Sequence, residues 1–164
     1  LLSACDNGVL YDSDKFADLI EDPQNDIVVW SYRNNYTAYR NPDMYSWLDV
    51  DGDDIKGVSV KKFPGGNPVD EYAIVGTMFF RNKDVYLQSL LQTYEKNVRT
   101  NGEFYVDSIL NEAIDLGYTV KNFEVDHYIC WGTPDDLNTY RYWQNFFNAV
   151  KWHPYDYRKD YLTY

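Results

Sequence analysis

Apolar positions along this 164-residue chain follow two rhythms, a period near 3.6 and a strict alternation, and the switches between them predict the elements. Ser13 precedes Phe16, Leu19 and Ile20, which share one helix face, and Pro23 lies just past the expected end. Asp26-Ile27-Val28-Val29-Trp30 reads as a buried strand, because consecutive β-prone apolar residues leave no face for water. Trp47 to Val50 and Ile55 to Lys62 alternate on either side of Asp51-Gly52-Asp53-Asp54, the pattern of a hairpin. After the loop Pro64 to Pro68, Tyr72 to Phe80 forms the next strand. It is interrupted by Gly76, where a missing side chain allows close approach by ligand or backbone.

Helical spacing resumes over Lys83 to Val98 and over Phe104 to Leu116, with Gly117 placed to cap the latter. Tyr118 to Val125 returns to strand. Thr133 and Pro134 then open a last helix carrying Leu137, Tyr140, Tyr142 and Trp143. Leu1 to Cys5 has the look of the end of a buried strand, and the aromatic and charged stretch from Lys151 shows no period. Helices alternating with strands, plus one hairpin, predict a single domain over 1–164 with a mixed, three-layer α/β sheet.

Composition narrows the function classes. With 45% hydrophobic and 25% charged residues the chain has enough apolar material for a core. Its net charge of −11 disfavours broad nucleic-acid and membrane-surface binding, and leaves small anions only where lysines or a metal ion reverse the sign locally. No apolar run approaches the roughly 20 residues of a bilayer span. Two cysteines, Cys5 and Cys130, make neither a zinc spacing nor a disulfide framework, so a reducing, cytoplasmic compartment is expected. The 17 tyrosines suit stacking on a ligand and half-buried sheet surfaces equally.

Four strings hold candidate chemistry. In Cys5-Asp6-Asn7-Gly8 the carboxylate follows an apolar strand end, where open α/β sheets gather ligands and where aspartate also serves simply as a turn former. In Val58-Ser59-Val60-Lys61-Lys62, alternation sends Ser59 and Lys61 to one face and Lys62 to the other; one ammonium can meet a phosphate, or the lysines can merely protect an edge strand. Glu103, in Asn101-Gly102-Glu103-Phe104-Tyr105-Val106-Asp107, suits either helix capping or hydroxyl recognition. The fourth string, Asp126-His127-Tyr128-Ile129-Cys130-Trp131-Gly132-Thr133-Pro134, delivers a strand to a helix N-terminus whose free amides attract anions. His127 has no nucleophile motif beside it. Asp49 to Asp54 imitates a calcium loop but has Asp54 and Val60 where glycine and glutamate are required.

In this order, Cys-Asp-Asn-Gly, Val-Ser-Val-Lys, Ile-Val-Gly-Thr-Met-Phe-Phe, Asn-Gly-Glu-Phe-Tyr-Val-Asp and Trp-Gly-Thr-Pro-Asp-Asp-Leu resemble the sugar-1-phosphate nucleotidyltransferases, from Leu1 to about Phe147. The likeness is to the later two-thirds of that family's catalytic domain. It implies the nucleotide-diphospho-sugar transferase fold, GT-A-like and Rossmann-like. It also implies a reaction of a nucleoside triphosphate with a sugar 1-phosphate to give nucleotide sugar and pyrophosphate, for surface polysaccharide synthesis. By resemblance Asp6 binds Mg2+, Lys61 (or Lys62) the sugar phosphate and Glu103 a sugar hydroxyl, while Gly76 lies beneath the sugar. Asn7 and Thr133 join the substrate-binding set. The family's second metal aspartate falls on Cys130, a departure for which Asp126 or a substrate oxygen would compensate.

The Gly-rich, arginine-bearing opening that holds the triphosphate in that family has no counterpart here. The isolated chain is therefore expected to need a complementary N-terminal segment for catalysis, and to associate with a partner or with itself. A phosphocholine-type cytidylyltransferase and a non-catalytic sugar-phosphate-binding or regulatory domain are the alternatives.

Overall fold

The structure, a computed structural model, describes residues 1–154 and 156; the remainder of the aperiodic C-terminal stretch lies outside the described residues. The chain divides into two compact units, Leu1–Cys5 with Val9–Tyr128, and Asp6–Gly8 with Ile129–Tyr164.

The larger unit is built on five strands: β2 (Ile27–Tyr32), β3 (Trp47–Asp51), β4 (Asp54–Ser59), β5 (Tyr72–Phe80) and β6 (Val120–Glu124), following β1 (Asn7–Leu10) in the chain. Their order is β2-β5-β3-β4-β6. The sheet is mixed, since β2 runs parallel to β6 and antiparallel to β5. It closes on itself where β4 meets β6 through the single pair Asp54–Lys121, whose side chains also form an ion pair. Alternation along β2 feeds two cores. Ile27 and Val29 join Leu48, Ile55, Met78 and Leu110 on the face covered by α2 (Lys83–Glu95) and α3 (Ser108–Asp115). Val28, Trp30 and Tyr32 join Trp47, Val75 and Phe123 on the other, where Phe16, Leu19 and Ile20 of α1 (Ser13–Glu21) pack. A central strand with helices on both faces has no solvent side, which is why its sequence is an unbroken apolar run. Tyrosines are used largely as packing surface here: Tyr32 stacks on Tyr128 with ring centroids 3.9 Å apart.

Antiparallel pairing of β1 with β7 (His127–Cys130) makes a two-stranded sheet, bounded by Asp126 N–H to Leu10 O in the larger unit and Trp131 N–H to Asp6 O in the smaller. The smaller unit carries α4 (Pro134–Ala149), capped by Thr133, whose Oγ1 accepts from the Asp136 amide.

Several boundaries differ from expectation. Leu1 to Cys5 is not the end of a buried strand: Leu1 is 76% exposed, and the segment meets β5 through the isolated Leu2–Met78 bridge and the Ala4 N–H to Gly76 O bond. Asp6 consequently precedes β1 instead of closing a strand. The hairpin's second strand stops at Ser59, because Lys61 takes φ +51° and turns the chain, so alternation does not place Ser59 and Lys61 on a common face. Helix α3 starts at Ser108, not Phe104, since Thr100 and Glu103 pair in a tight turn ahead of it. Asp12, and not Ser13, caps α1.

Candidate functional site

Lys61 is held by the segment that leads into β3. Its backbone N–H donates to Ser46 Oγ at 3.4 Å and its ammonium donates to the Met44 carbonyl, while the Phe63 amide donates to Asp43 Oδ1 at 2.8 Å. Ser46 is itself buried and fixed to β5, its carbonyl accepting from the Ile74 amide. The left-handed backbone of Lys61 costs a residue with a Cβ about 1–2 kcal/mol, and these contacts hold it in place. Lys62 is exposed; its carbonyl accepts from Ser59 Oγ.

Glu103 reaches the same region through Tyr105. The Glu103 carboxylate is near enough to hold the Tyr105 phenol above its usual range, and the Lys61 ammonium lies 5.7 Å from the Tyr105 ring centroid. Asp107 completes the group, near enough to Ser46 and Lys61 for both to act on its carboxyl. Burial raises its carboxyl above the ordinary range, with Ser46 and Lys61 pulling it back. Two of the anticipated residues, Lys61 and Glu103, are thus assembled with Ser46, Tyr105 and Asp107, which sequence reasoning missed. The spacing of Glu103 and Tyr105 was the available signal, because residues two apart in an extended segment share a side; Asp107 lies past that segment, in helical backbone conformation.

Gly76 has a backbone reason of its own. Met78 pairs with Val29 and Ile74 with Ser31, so β5 bulges between them, and Gly76 takes φ +94° there. The Ala4 amide donates to the Gly76 carbonyl at 3.0 Å, and a Cβ on Gly76 would stand 3.0 Å from Ala4 Cβ. Asp126 sits exposed at the bend between β6 and β7.

In the smaller unit, Asp6 is exposed and its Oδ2 lies 3.0 Å from where a Cβ on Gly132 would be, so the carboxylate rests on a bare glycine Cα. Cys130 Sγ flanks the same glycine and donates to Asp136 Oδ2 at 3.4 Å, the oxygen to which Thr133 Oγ1 also donates at 2.7 Å. Asn7 opens β1 beside Asp6. Asp6 and Asp126 belong to different units. Among the described residues no group of three or more His, Cys, Asp or Glu side chains gathers as a metal site. An exposed carboxylate still suits magnesium, which commonly takes one or two carboxylates and completes its shell with phosphate oxygens and water; the Cys130 thiol is too soft for it.

No protein-family model matches the chain, and no curated protein sequence does. Solved structures do. A nucleoside-diphosphate-sugar pyrophosphorylase from Vibrio cholerae RC9 superposes with TM-score 0.59 at 16% identity, over 82% of this chain and 52% of that one. The inositol-1-phosphate CTP transferase of T. maritima gives 0.55 at 18%, over 85% and 51%. A chain assigned as a glucose-1-phosphate thymidylyltransferase from Bacillus anthracis, in complex with sucrose, gives 0.57 at 15%, over 91% and 54%. The present chain therefore spans about half the length of the structures it matches, and its architecture is the nucleotide-sugar transferase fold.

Proposed function

We propose that the chain is the later part of a nucleotidyltransferase catalytic domain that joins a nucleoside triphosphate to a sugar 1-phosphate, for surface polysaccharide synthesis. The observation that carries this reading is the assembly of Lys61 with Tyr105 and Glu103 in a fold shared with transferases of that kind. A phosphate oxygen of the sugar 1-phosphate attacks the α-phosphorus of the triphosphate, the bond from that phosphorus to the bridging oxygen breaks, and pyrophosphate leaves. No protein group is bonded covalently at any stage, so positioning and charge are what the residues contribute.

In this scheme Lys61 leaves the Met44 carbonyl to meet the sugar phosphate as a point charge. Glu103 accepts from a sugar hydroxyl, Tyr105 holding its carboxylate in place, and Gly76 keeps the strand beneath the sugar free of side chain. Asp6, with phosphate oxygens, would hold Mg2+, which neutralises charge on the reacting phosphates when bound.

Titration calorimetry of the chain with glucose 1-phosphate is expected to show binding that Lys61→Met and Glu103→Gln each weaken at least tenfold. Magnesium-dependent pyrophosphate release is expected from the longest form of the protein that carries this sequence. A folded sample of that form that neither binds sugar phosphates nor releases pyrophosphate would refute the proposal. Competition by phosphocholine would move the acceptor to a phosphorylated alcohol.

A further inference from the structure

Two Asn-Gly dipeptides occur in the chain, Asn7-Gly8 and Asn101-Gly102, each inside a string that holds candidate chemistry. Asparagine loses side-chain ammonia most readily before glycine, which puts no Cβ in the way when its own backbone nitrogen approaches the asparagine Cγ. The two surroundings differ. Asn7 and Gly8 lie in β1, paired with β7, and a Cβ on Gly8 would stand 2.9 Å from the Trp131 ring, so an indole lies against that peptide. Asn101 and Gly102 are exposed at a two-residue turn, closed by Thr100 N–H to Glu103 O and Glu103 N–H to Thr100 O, each 3.0 Å. A Cβ on Gly102 would meet nothing within 4 Å. Among the described residues, neither the Asn101 side chain nor the Gly102 N–H has a hydrogen-bond partner. Asn97, also left-handed, is guarded: its side-chain oxygen accepts from Arg99 Nε at 2.8 Å, and the β-branched Val98 follows it.

We propose that Asn101 is a site of spontaneous deamidation, and that the change remodels the turn presenting Glu103. The Gly102 nitrogen bonds to Asn101 Cγ, the bond from Cγ to Nδ2 breaks, and Nδ2 leaves as ammonia with the proton from the Gly102 amide. Water then opens the resulting succinimide at either carbonyl, giving aspartate or isoaspartate. Asn101 takes φ +52°, a left-handed conformation with ψ on the positive side, whereas ring closure needs ψ on the negative side, so attack waits for the turn to open. A bare surface turn opens locally more readily than a paired strand beneath an indole. Isoaspartate routes the chain through the former side chain and lengthens it by one methylene, which a two-residue turn cannot absorb while keeping the Thr100–Glu103 pairing. Either product adds a carboxylate next to Glu103 and near Arg99, whose Nη1 donates to Gly102 O at 2.8 Å. Only the consequence for binding rests on the reading of Glu103 as the sugar-hydroxyl acceptor; the modification itself does not.

The folded protein is aged in mildly alkaline buffer and mapped by peptide mass spectrometry. Conversion of amide to acid is expected at position 101 at least about tenfold faster than at position 7, while in urea, where neither turn nor sheet survives, the two positions should react at similar rates. Hydroxylamine, which cleaves succinimides, should cut the aged folded chain between residues 101 and 102. Asn101→Gly suits the left-handed turn and has no amide to lose, so it should resist both. Equal or faster conversion at Asn7 in the folded protein, or conversion at neither position while urea releases both, overturns the inference. In the aged protein the Glu103 amide should exchange with solvent faster than in fresh protein, and unchanged protection would overturn the remodelling of the turn. Glucose 1-phosphate binding should weaken about tenfold on ageing, the worth of one hydrogen bond involving a charged group, and should not change in aged Asn101→Gly. A protein that converts at position 101 but never binds glucose 1-phosphate, fresh or aged, upholds the modification and removes the proposed function alone.

Discussion

Replacing Gly76 with alanine separates two accounts of that residue. The substitution adds one methyl at φ +94°, a backbone region that alanine occupies at a cost of about 1–2 kcal/mol. The methyl would also stand 3.0 Å from Ala4 Cβ, inside normal carbon contact, so the segment ahead of β1 must lift by a few tenths of an ångström. Lifting it strains the Ala4 N–H to Gly76 O bond of 3.0 Å and the Leu2–Met78 pairing, a loss on the order of 1 kcal/mol. The two contributions together make Gly76→Ala about 2–3 kcal/mol less stable than the parent. At roughly 2–4 °C per kcal/mol for a chain of this size, melting should fall by about 5–10 °C.

A double-mutant cycle identifies the contact. Ala4→Gly removes the methyl that collides, so in the Gly76→Ala background it should restore about 0.5–1 kcal/mol, whereas in the parent it only loosens the segment. The backbone cost at position 76 should survive in the double variant. Scanning calorimetry and denaturant unfolding of the four proteins measure all of this. Equal melting of parent and Gly76→Ala, combined with loss of sugar-phosphate binding, would show that the glycine makes room for a ligand and not for Ala4, and would refute the packing argument.

Two further outcomes follow from single side chains. Thr133→Ala removes the oxygen that accepts the Asp136 amide, so α4 should lose about 1 kcal/mol at its start and that amide should exchange with solvent faster, while Thr133→Ser keeps protection; equal exchange in both would contradict the cap. Burial raises the Asp107 carboxyl, so the stability it contributes is fully present below its unfolded value near about pH 4 and is lost as pH rises through the higher folded value. Asp107→Asn should therefore melt above the parent at neutral pH and match it in acid, and a variant that melts lower at neutral pH would show that the ionised form is the favoured one.

The elements that the sequence disclosed are those whose cause is local. Ile27 to Trp30 needs only its own apolar run to be a buried strand, and Phe16, Leu19 and Ile20 need only their spacing to be a helix face. The turn at Asp51 to Asp54 announces itself by composition, with Gly52 at φ +62°. Where boundaries slipped, a distant residue decided. Val58-Ser59-Val60-Lys61 alternates like a strand, yet Ser46 and Asp43 hold the chain in a turn there. Phe104 and Val106 fit the helical period of α3, but the Thr100–Glu103 pairing ahead of them delays the helix to Ser108.

The candidate site divides in the same way. Lys61 and Glu103 were visible because each sits in a short string whose residue types already imply a phosphate or hydroxyl partner, and a resemblance in motif order joined them. Ser46 was invisible: it lies in an ordinary-looking stretch ahead of β3, and its role exists only because β5 fixes its backbone while the Lys61 turn folds onto its hydroxyl. Asp107 was quoted only as the end of the Glu103 string, and it stands at the start of α3 without a capping bond. Lys61 is the case in point: its strand-like string gives way to a left-handed turn because Ser46 and Asp43, both ahead of β3, bind the backbone there, so segments far away in sequence decide where the lysine stands.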